Sequence, residues 1–302
     1  MDTLTVVILT YNEEIHIERC IRSLRPIANK IYIVDSFSSD CTVEIARSLG
    51  AEVEQRKWKN YADQFQWGLE HCGAGADSWI MRMDADEYLE PDLQRELQEL
   101  LPNLPDDVDG IYLKRKVFFY GKWIRYGGVY PLVLLRIWRA GKGRIEQRWM
   151  DEHVVLLPGA RTIALEMNLV DDNRKGISFW ISKHNQYASR EAVDLLNQKY
   201  ALLKHDDALM AIDDLQAKRK RLIKEKVYSR LPVGIRAFFY FCYRYFLRWG
   251  FLDGRQGFIW HFMQGFWYRF LVDIKIMELE ERSGGDVEKL KQLLREQHGL
   301  QI

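Results

Sequence analysis

Residues 79–87 read Trp-Ile-Met-Arg-Met-Asp-Ala-Asp-Glu, an apolar strand that ends in acidic side chains. Along an extended chain, residues two apart point the same way, so Asp84 and Asp86 can face one site while Ala85 turns into the protein. Two carboxylates at a strand end suit Mg²⁺ or Mn²⁺, which keep coordination positions open for the oxygens of a substrate diphosphate. An acidic pair is common by itself and often only caps a helix, so its meaning depends on the surrounding fold.

Strand and helix signals alternate on the amino-terminal side of this stretch. Short apolar runs predict strands at 4–9 and 31–34, residues 52–55 are read as a third strand, and helical patterns separate the three. Asp40 and Asn60 stand where helix N-caps are expected. The alternation predicts an α/β fold with a parallel, doubly wound, Rossmann-like sheet, whose ligand crevice lies beyond the carboxyl ends of the strands.

The loops at those strand ends hold side chains suited to a nucleotide. Thr10, Tyr11 and Asn12 follow the first strand, and Asp35 follows the second. A hydroxyl, an aromatic face and a carboxylate at adjacent strand ends can hold a base and a ribose. Alternatively, Asn12 and Asp35 are helix caps, and each can cap and bind at once. The glycine patterns of dinucleotide-binding and P-loop sites are absent from the sequence.

Length and composition limit the classes of protein that this chain can represent. Its 302 residues, 47% hydrophobic and 29% charged, suffice for one large α/β domain with an appended module and do not resemble a disordered chain. A formal net charge of +1 predicts no general attraction to nucleic acid. Four separated cysteines suggest neither a disulfide framework nor a zinc site, and the first residues lack a signal peptide's features. We therefore expect a reducing, cytosolic setting.

Two further elements are predicted on the carboxyl side of the acidic pair. Pro91 is suited to begin a helix that runs to about Leu101, and a β-rich stretch follows at 111–137. Residues 188–226 predict a long helix that closes a domain spanning residues 1–230. Residues 231–302 then form a second, helical module.

Aromatic residues crowd into 237–270, where arginines recur among them, and a basic run at 218–230 precedes them. No part of this segment is free of charge over the roughly 18–20 residues that a membrane-spanning helix needs. Basic charge beside an aromatic amphipathic stretch is typical of helices on an anionic membrane surface. The residues expected at that interface are Arg236, Arg244, Arg248, Trp249, Arg255, Trp260 and Trp267. The alternative is an aromatic core or dimer face with a solvated basic flank.

Three motifs together resemble the inverting family 2 glycosyltransferases with a GT-A fold, over roughly residues 3–190. The motifs are Thr10-Tyr11-Asn12-Glu13-Glu14, Val34-Asp35-Ser36 with Ser39-Asp40-Cys41-Thr42, and Asp84-Ala85-Asp86-Glu87. The resemblance implies that Thr10, Tyr11, Asn12, Glu14, Asp35, Gln64, Asp84 and Ala85 bind a nucleotide-diphosphate sugar. It also implies that Asp84 and Asp86 hold the Mg²⁺ or Mn²⁺ ion on the diphosphate.

The same resemblance places the general base some sixty residues beyond the acidic pair. Glu152 is the first candidate and Asp151 the second, the alternative being an exposed acidic turn. This base would deprotonate the acceptor hydroxyl as it attacks the anomeric carbon. His153 and His184 are candidates for a metal ligand or for phosphate binding, although a lone histidine is more often structural.

The carboxyl-terminal segment resembles bacterial family 2 enzymes that extend lipopolysaccharide core or lipid-linked surface glycans. The matching residues are Arg248-Trp249-Gly250-Phe251-Leu252-Asp253-Gly254-Arg255, Phe266-Trp267-Tyr268-Arg269-Phe270 and Asp273-Ile274-Lys275. This implies a peripheral or monotopic protein on the cytoplasmic face of the bacterial inner membrane, which transfers one hexose, most simply from a UDP-sugar, to a lipid-linked saccharide. Gly250, Gly254 and Gly257 are expected to break the aromatic segment into two short interfacial helices. The alternatives are a transferase for a soluble or protein acceptor and a catalytically silent membrane-associated scaffold.

Overall fold

The computed structural model describes residues 3–76, 78–146, 153–200, 202 and 234–298. These residues divide into two compact units. The first unit contains residues 3–76, 78–125, 129–146 and 153–175, and the second contains residues 126–128, 176–200, 202 and 234–298. The predicted boundary near residue 230 and the basic run at 218–230 lie outside the described residues, as does nearly all of the predicted long helix beyond residue 200.

The first unit is built of strands and helices that alternate through its first hundred residues. Its strands are β1 (Leu4–Thr10), β2 (Lys30–Asp35), β3 (Glu52–Gln55), β4 (Trp79–Asp84), β5 (Glu87–Leu89), β6 (Val108–Phe119), β7 (Lys122–Ile124), β8 (Leu132–Arg139), β9 (Gly143–Ile145), β10 (Val154–Leu156) and β11 (Arg161–Asp171). Its helices are α1 (Ile17–Leu24), α2 (Thr42–Ser48), α3 (Tyr61–His71) and α4 (Pro91–Leu100), followed by a 3₁₀ turn at Leu101–Asn103. The predicted α/β class is confirmed.

Helix starts follow from local chemistry that the sequence displays. Asn60 caps α3 by accepting a hydrogen bond from the amide of Asp63 at 2.8 Å. Pro91 is the first residue of α4, where its missing amide hydrogen costs nothing. Asp40 accepts a hydrogen bond from the amide of Thr42, the first residue of α2, at 3.0 Å. The expectations for Asn60 and Pro91 are confirmed, whereas the N-cap of α2 is Cys41, one residue after the predicted Asp40.

Within the described residues, the main sheet has nine strands, with β3-β2-β1-β4 parallel at one side. The order continues with β8, β6, β11 and β5, and β7 pairs with β6. Because β2 and β4 flank β1 on opposite sides, the order in which strands are added to the sheet reverses at β1, and such switch points open a ligand crevice at the carboxyl ends of the strands. Thr10 pairs with Asp35, and Leu9 pairs with Asp84, so the predicted binding loops start at the same edge.

Apolar side chains bury both faces of this sheet. On one face, alternate residues of β1 and β4, such as Val6, Ile8 and Met81, pack with the apolar sides of α1 and α4. On the other face, Val7 and Ile80 pack with α3 and with Trp138 of β8. Burial on both faces leaves the loops at the strand ends as the exposed, polar part of this half of the sheet.

The second unit is helical in its described part. Its α-helices are α5 (Gly176–Tyr200), α6 (Ile235–Cys242), α7 (Gly254–Trp260), α8 (Tyr268–Ser283) and α9 (Val287–His298). Two π-helical segments and one 3₁₀ turn connect them, at Tyr243–Leu247, His261–Trp267 and Gly250–Asp253. Ala188 and Ala192 of α5 pack against Tyr268 and Val272 of α8 in the core of this unit.

Gly250, Gly254 and Gly257 were predicted to break the aromatic segment into two short helices, and the structure confirms this only in part. The chain does break around Gly250, and Gly254 begins α7 with a positive φ of 68°. Gly257, however, lies inside α7, where a Cβ would meet Asp253 Cβ at 2.4 Å and the carbonyl oxygen of Gly250 at 2.8 Å. Gly257 therefore permits close packing and does not end a helix. Among the helices of the described part, each is too short or too polar to span a bilayer.

Candidate functional site

Asp35, at the end of β2, is fully buried and uses both carboxylate oxygens within the protein. Its Oδ1 accepts hydrogen bonds from Thr10 Oγ1 at 2.8 Å and from Ser38 Oγ at 2.5 Å. Its Oδ2 accepts from the Ser38 amide at 2.8 Å and from Gln55 Nε2 at 3.0 Å. Four donors satisfy the two oxygens of a carboxylate, so Asp35 and the hydroxyl of Thr10 organise the loop in this conformation.

The loops after β1 and β2 are joined directly to each other. The Asn12 amide donates to Ser38 Oγ at 2.9 Å, and Asn12 Oδ1 accepts from the Ser39 amide at 2.8 Å. Glu14 accepts from the Cys41 amide at 3.1 Å through Oε2. Asn12 and Glu14 thus hold the loops together, while the Tyr11 ring next to Asn12 is 59% exposed.

Gln64, on α3, closes the same network from the side. It is fully buried and donates through Nε2 to Ser36 Oγ at 3.2 Å and to the Arg56 carbonyl at 3.1 Å. Its Oε1 accepts from Arg56 Nη1 at 3.2 Å. The structure therefore brings Gln64 to the β2 loop, as a residue that supports Ser36 and Arg56.

Asp84 ends β4 with a side chain that is 33% exposed. Tyr61, the first residue of α3, donates its hydroxyl to Asp84 Oδ1 at 3.3 Å. Arg82 Nε lies 3.9 Å from Oδ1, and Arg136 Nη2 lies 3.8 Å from Oδ2. Asp84 is therefore oriented by cationic and hydroxyl groups while part of its carboxylate stays open to solvent.

The residue between the two aspartates is buried, as the sequence predicts. Ala85 belongs to the hydrophobic core cluster of the first unit. The chain at this point is not extended, however: β4 ends at Asp84, and residues 85 and 86 form a turn before β5. The turn nevertheless gives the same result as strand alternation: Ala85 is buried, and Asp84 and Asp86 are only partly covered.

Glu87 is buried and anchors this turn. Its Oε2 accepts a hydrogen bond from the Asp84 amide at 3.0 Å, and its Oε1 lies 2.6 Å from Arg136 Nη2. Arg115 Nη1 lies 3.6 Å from the same Oε1. Burial raises the pKa of Glu87, and the adjacent Arg136 opposes that rise. Arg136 and Arg115 hold the Glu87 carboxylate. Glu87 in turn fixes the backbone at Asp84 through the hydrogen bond from the Asp84 amide.

Asp86 is held from the other side by the segment after β11. Asn173 Nδ2 donates to Asp86 Oδ2 at 2.8 Å, and Arg19 Nη2 donates to the Asp86 carbonyl at 3.3 Å. Arg19 also donates to Asp172 Oδ2 at 2.5 Å. Burial alone would raise the pKa of Asp172, but hydrogen bonds from Arg19 and Arg174 hold that pKa below its usual value.

Four residues around the acidic turn were not predicted from the sequence, because they come from distant strands, helices and loops: Asn173, Arg19, Arg136 and Arg115. The signal available was position: Asn173 follows β11, whose final residue Asp171 pairs with Glu87 of β5. A polar run directly after that strand is brought to the acidic turn by strand pairing alone.

The acidic pair fits a divalent metal that shares its coordination with a substrate. Asp84 and Asp86 offer two partly exposed carboxylates, whose remaining contacts are to neutral or cationic donors. Mg²⁺ and Mn²⁺ are commonly held by one or two carboxylates plus phosphate oxygens and water. In the part of the chain that the structure describes, no three His, Cys, Asp or Glu side chains converge as a complete metal site.

The remaining chemical candidates are placed as follows. Asp151 and Glu152 lie outside the described residues, and His153 is exposed at the start of the chain that follows them. His184 belongs to the second unit, where Nδ1 donates to the Trp180 carbonyl at 2.8 Å and the ring stacks on Trp180 with centroids 3.5 Å apart. Burial lowers the pKa of His184 to about 4, so the neutral ring is a packing element of that unit.

The interfacial candidates separate into two groups. Arg236 is ion-paired with buried Asp273, and Arg244 donates through Nε to the Gly127 carbonyl at 2.9 Å, so both arginines are used inside the second unit. Trp260 and Trp267 are half-buried beside Trp180. By contrast, the exposed members are Arg248, Trp249 and Arg255. The recurrence of arginine among the aromatics is thus explained in part by internal pairing.

Comparison with known proteins relates this architecture to one family. The model of glycosyl transferase family 2 matches residues 5–166. The lipopolysaccharide core biosynthesis glycosyltransferase LpsC of Rhizobium meliloti (strain 1021) is 34% identical over 151 residues, which cover 47% of this chain and 53% of that protein. An uncharacterized glycosyltransferase of Rickettsia bellii (strain RML369-C) is 38% identical over 104 residues, 34% of each chain. The chain thus spans about a third to a half of the length of these relatives.

One solved structure that matches part of this chain is glucosyl-3-phosphoglycerate synthase from Mycobacterium tuberculosis, in complex with Mn²⁺, UDP and glucosyl-3-phosphoglycerate. It is 22% identical, with a TM-score of 0.31, and the match covers 39% of this chain and 44% of that one. The family match, in contrast, extends over more than half of the 302 residues and includes β1 to β4 with their loops. This protein therefore belongs to glycosyl transferase family 2.

Proposed function

We propose that this protein is a glycosyltransferase that moves one hexose from a UDP-sugar to a hydroxyl of a lipid-linked saccharide, with inversion at the anomeric carbon and with Mg²⁺ or Mn²⁺ as cofactor. The observation that supports it best is the pair of partly exposed carboxylates, Asp84 and Asp86, at the carboxyl end of β4. The loops of β1 and β2 begin at the same sheet edge. Such an edge suits a nucleoside at one end and a diphosphate at the other.

Asp84 and Asp86 would hold the metal, and Asn173, Tyr61 and Glu87 would keep the two carboxylates in place. When bound, the metal stabilises negative charge on the departing diphosphate. Arg82 and Arg136 add positive charge near Asp84 and favour the same anionic group. The Tyr11 ring is available to the base, because it is exposed beside the joined loops.

Glu152 is proposed as the general base, with Asp151 as the alternative. The base takes the proton of the acceptor hydroxyl while that oxygen bonds to the anomeric carbon. The bond from the anomeric carbon to the diphosphate oxygen breaks on the opposite face, and UDP leaves with the electron pair. One displacement of this kind inverts the configuration.

The lipid-linked acceptor and an anionic membrane surface are proposed from the second unit. Residues 246–252 form an apolar turn, in which Leu247 is 72% exposed and Trp249 is 61% exposed. Phe246, Phe251 and Leu252 are exposed in the same turn, and Trp249 has a positive φ of 60° that turns the chain sharply. Exposed apolar side chains with the exposed cations Arg248 and Arg255 fit the boundary of an anionic leaflet.

Similarity to LpsC supports a role in the lipopolysaccharide core, within the part of the chain that matches. We accordingly place the protein at the cytoplasmic face of the inner membrane, where UDP-sugars and lipid-linked saccharides meet. Other lipid-linked surface glycans contain the same class of acceptor.

The test is transfer from radiolabelled UDP-hexoses to lipid extracts that contain truncated lipopolysaccharide. Asp86→Asn should abolish transfer while the protein stays folded, because it removes an anionic metal ligand with little change in volume. Glu152→Gln should retain UDP binding and lose roughly two to four orders of magnitude in rate. Asp92→Asn, an exposed aspartate paired with Arg95 on α4, is the matched control and should transfer normally. Wild-type turnover by Asp86→Asn would contradict the metal assignment.

A further inference from the structure

Phe37 combines a costly backbone conformation with an exposed aromatic side chain. Its φ is 59°, in the left-handed region that a bulky residue seldom adopts. The ring is 58% exposed, so packing within the protein does little to offset that cost. A glycine would occupy this position without backbone strain.

Neighbouring contacts hold Phe37 in this conformation. The next residue, Ser38, donates to Asp35 through both its amide and its hydroxyl, at 2.8 and 2.5 Å. Ser38 Oγ also accepts a hydrogen bond from the Asn12 amide. Asp35 is buried and accepts four hydrogen bonds, including those from Thr10 of β1 and Gln55 of β3. These contacts fix the conformation of the loop that contains Phe37.

The location of the ring indicates what it contacts. The Asn12 amide donates a hydrogen bond to Ser38 Oγ, and Tyr11 and Phe37 directly precede these two residues in the sequence. Both rings are more than half exposed. Both belong to loops at the carboxyl ends of β2 and β1, whereas the carboxylates that suit a diphosphate follow β4. Because β1 separates β2 from β4, Phe37 stands about 10 Å, two strand spacings, from the diphosphate end of the edge.

We propose that Phe37 is a nucleobase-binding residue, which covers one face of the base of the nucleotide donor. This inference rests on the proposed nucleotide-sugar function. Every nucleobase has a π-face that stacks on an aromatic ring, and such stacking is strong enough to compensate for a strained residue. Phe37 thus contributes affinity for the nucleoside part of the donor, independently of the metal and the diphosphate.

The test compares Phe37→Gly with Tyr120→Gly by calorimetric titration of UDP and UMP. Tyr120 is a matched control in the first unit, because its φ is 48° and its ring is 56% exposed, in the turn between β6 and β7. Both glycine variants should melt at or above the wild-type temperature, since both relieve a left-handed aromatic residue. Phe37→Gly should weaken UDP and UMP binding by about tenfold alike, whereas Tyr120→Gly should bind as the wild type does.

Phe37→Tyr keeps a ring and should retain wild-type affinity, which separates loss of the ring from a change in the loop. UDP binding by Phe37→Gly within twofold of the wild type would overturn the inference and leave the proposed function standing. Equal loss in Tyr120→Gly would also overturn it. A wild-type protein that binds no nucleotide would overturn the proposed function, and this inference with it.

Discussion

Asp84 and Asp86 are two residues apart, yet different parts of the chain hold them. Glu87 anchors the Asp84 amide from within the core, and Asn173 holds the Asp86 carboxylate from the segment after β11. Side chains that orient metal ligands typically affect metal affinity by one to two orders of magnitude. We therefore propose that Asn173 is a positioning residue, because its amide would act on the proposed metal through Asp86.

Asn173→Ala should raise the Mn²⁺ concentration needed for half-maximal UDP binding by about tenfold. The reason is that Asp86 Oδ2 loses the donor that orients it, while both metal ligands remain. Titration of Mn²⁺ at a fixed UDP concentration measures the effect, and saturating Mn²⁺ should restore binding. Asn103→Ala removes one amide hydrogen bond to the Glu99 carbonyl in the same unit and is the matched control. An unchanged Mn²⁺ requirement in Asn173→Ala would show that Asp86 does not depend on this contact.

Local sequence was sufficient to predict some residues at the site and insufficient for others. Ala85 is buried and the two aspartates stay partly open, as predicted from their spacing. Asp35 was expected to bind ligand or to cap, and two of its four internal hydrogen bonds come from Thr10 and Gln55 of neighbouring strands. Those contacts arise from sheet register, which no local pattern encodes.

At the scale of elements, the π-helical segment His261–Trp267 begins at an unusual packing contact. The His261 ring is fully buried, and a Cβ on Gly127 would lie 2.0 Å from its Cε1. A Cβ on Gly250 would lie 2.6 Å from the same ring. Burial and the neighbouring Arg244 lower the pKa of His261 to about 3, so the ring packs as a neutral group between two glycines.

Gly127→Ala should therefore destabilise the second unit by about 3 kcal/mol, through overpacking added to a positive φ of 69°. Gly128→Ala is the matched control, because its φ is 74° but its nearest side-chain atom lies 3.9 Å away. The control should cost about 1 kcal/mol from backbone strain alone. Chemical denaturation of both variants measures the difference. Equal stability of the two would contradict the packing explanation.

Elements with regular periodicity were predicted well, and irregular ones were not. The strands β1, β2 and β4 follow from short apolar runs, and the starts of α3 and α4 follow from the cap at Asn60 and from Pro91 at the first helical position. The π-helical segments have no period of their own in the sequence, and Gly257 resembles a helix break until its packing against Asp253 is seen. Tertiary contacts decide such segments.

In the whole molecule, one unit carries the proposed nucleotide-binding edge and the other carries an exposed apolar turn. The turn at 246–252 presents large apolar side chains that a water-soluble surface seldom gathers in one place. Membrane attachment would bring the enzyme to a lipid-linked acceptor without a spanning helix.

Wild-type protein should float with vesicles of 30% phosphatidylglycerol and 70% phosphatidylethanolamine. Leu247→Glu combined with Trp249→Glu should reduce the bound fraction about tenfold, because charge replaces the most exposed apolar side chains of the turn. Leu157→Glu, at a 53% exposed leucine of the first unit, should float normally. Flotation of the double variant at the wild-type level would rule out this turn as the membrane contact.

Nucleotide binding to the wild-type protein tests most directly whether the loops after β1, β2 and β4 form a donor site. Calorimetric titration with UDP, GDP, ADP and CDP should be carried out with Mn²⁺, with Mg²⁺ and with a chelator. We predict that UDP binds best and that its binding needs the divalent metal. In Asp86→Asn, adding the metal should no longer increase UDP binding. Absence of nucleotide binding under every condition would contradict the assignment of the β1, β2 and β4 loops as a donor site.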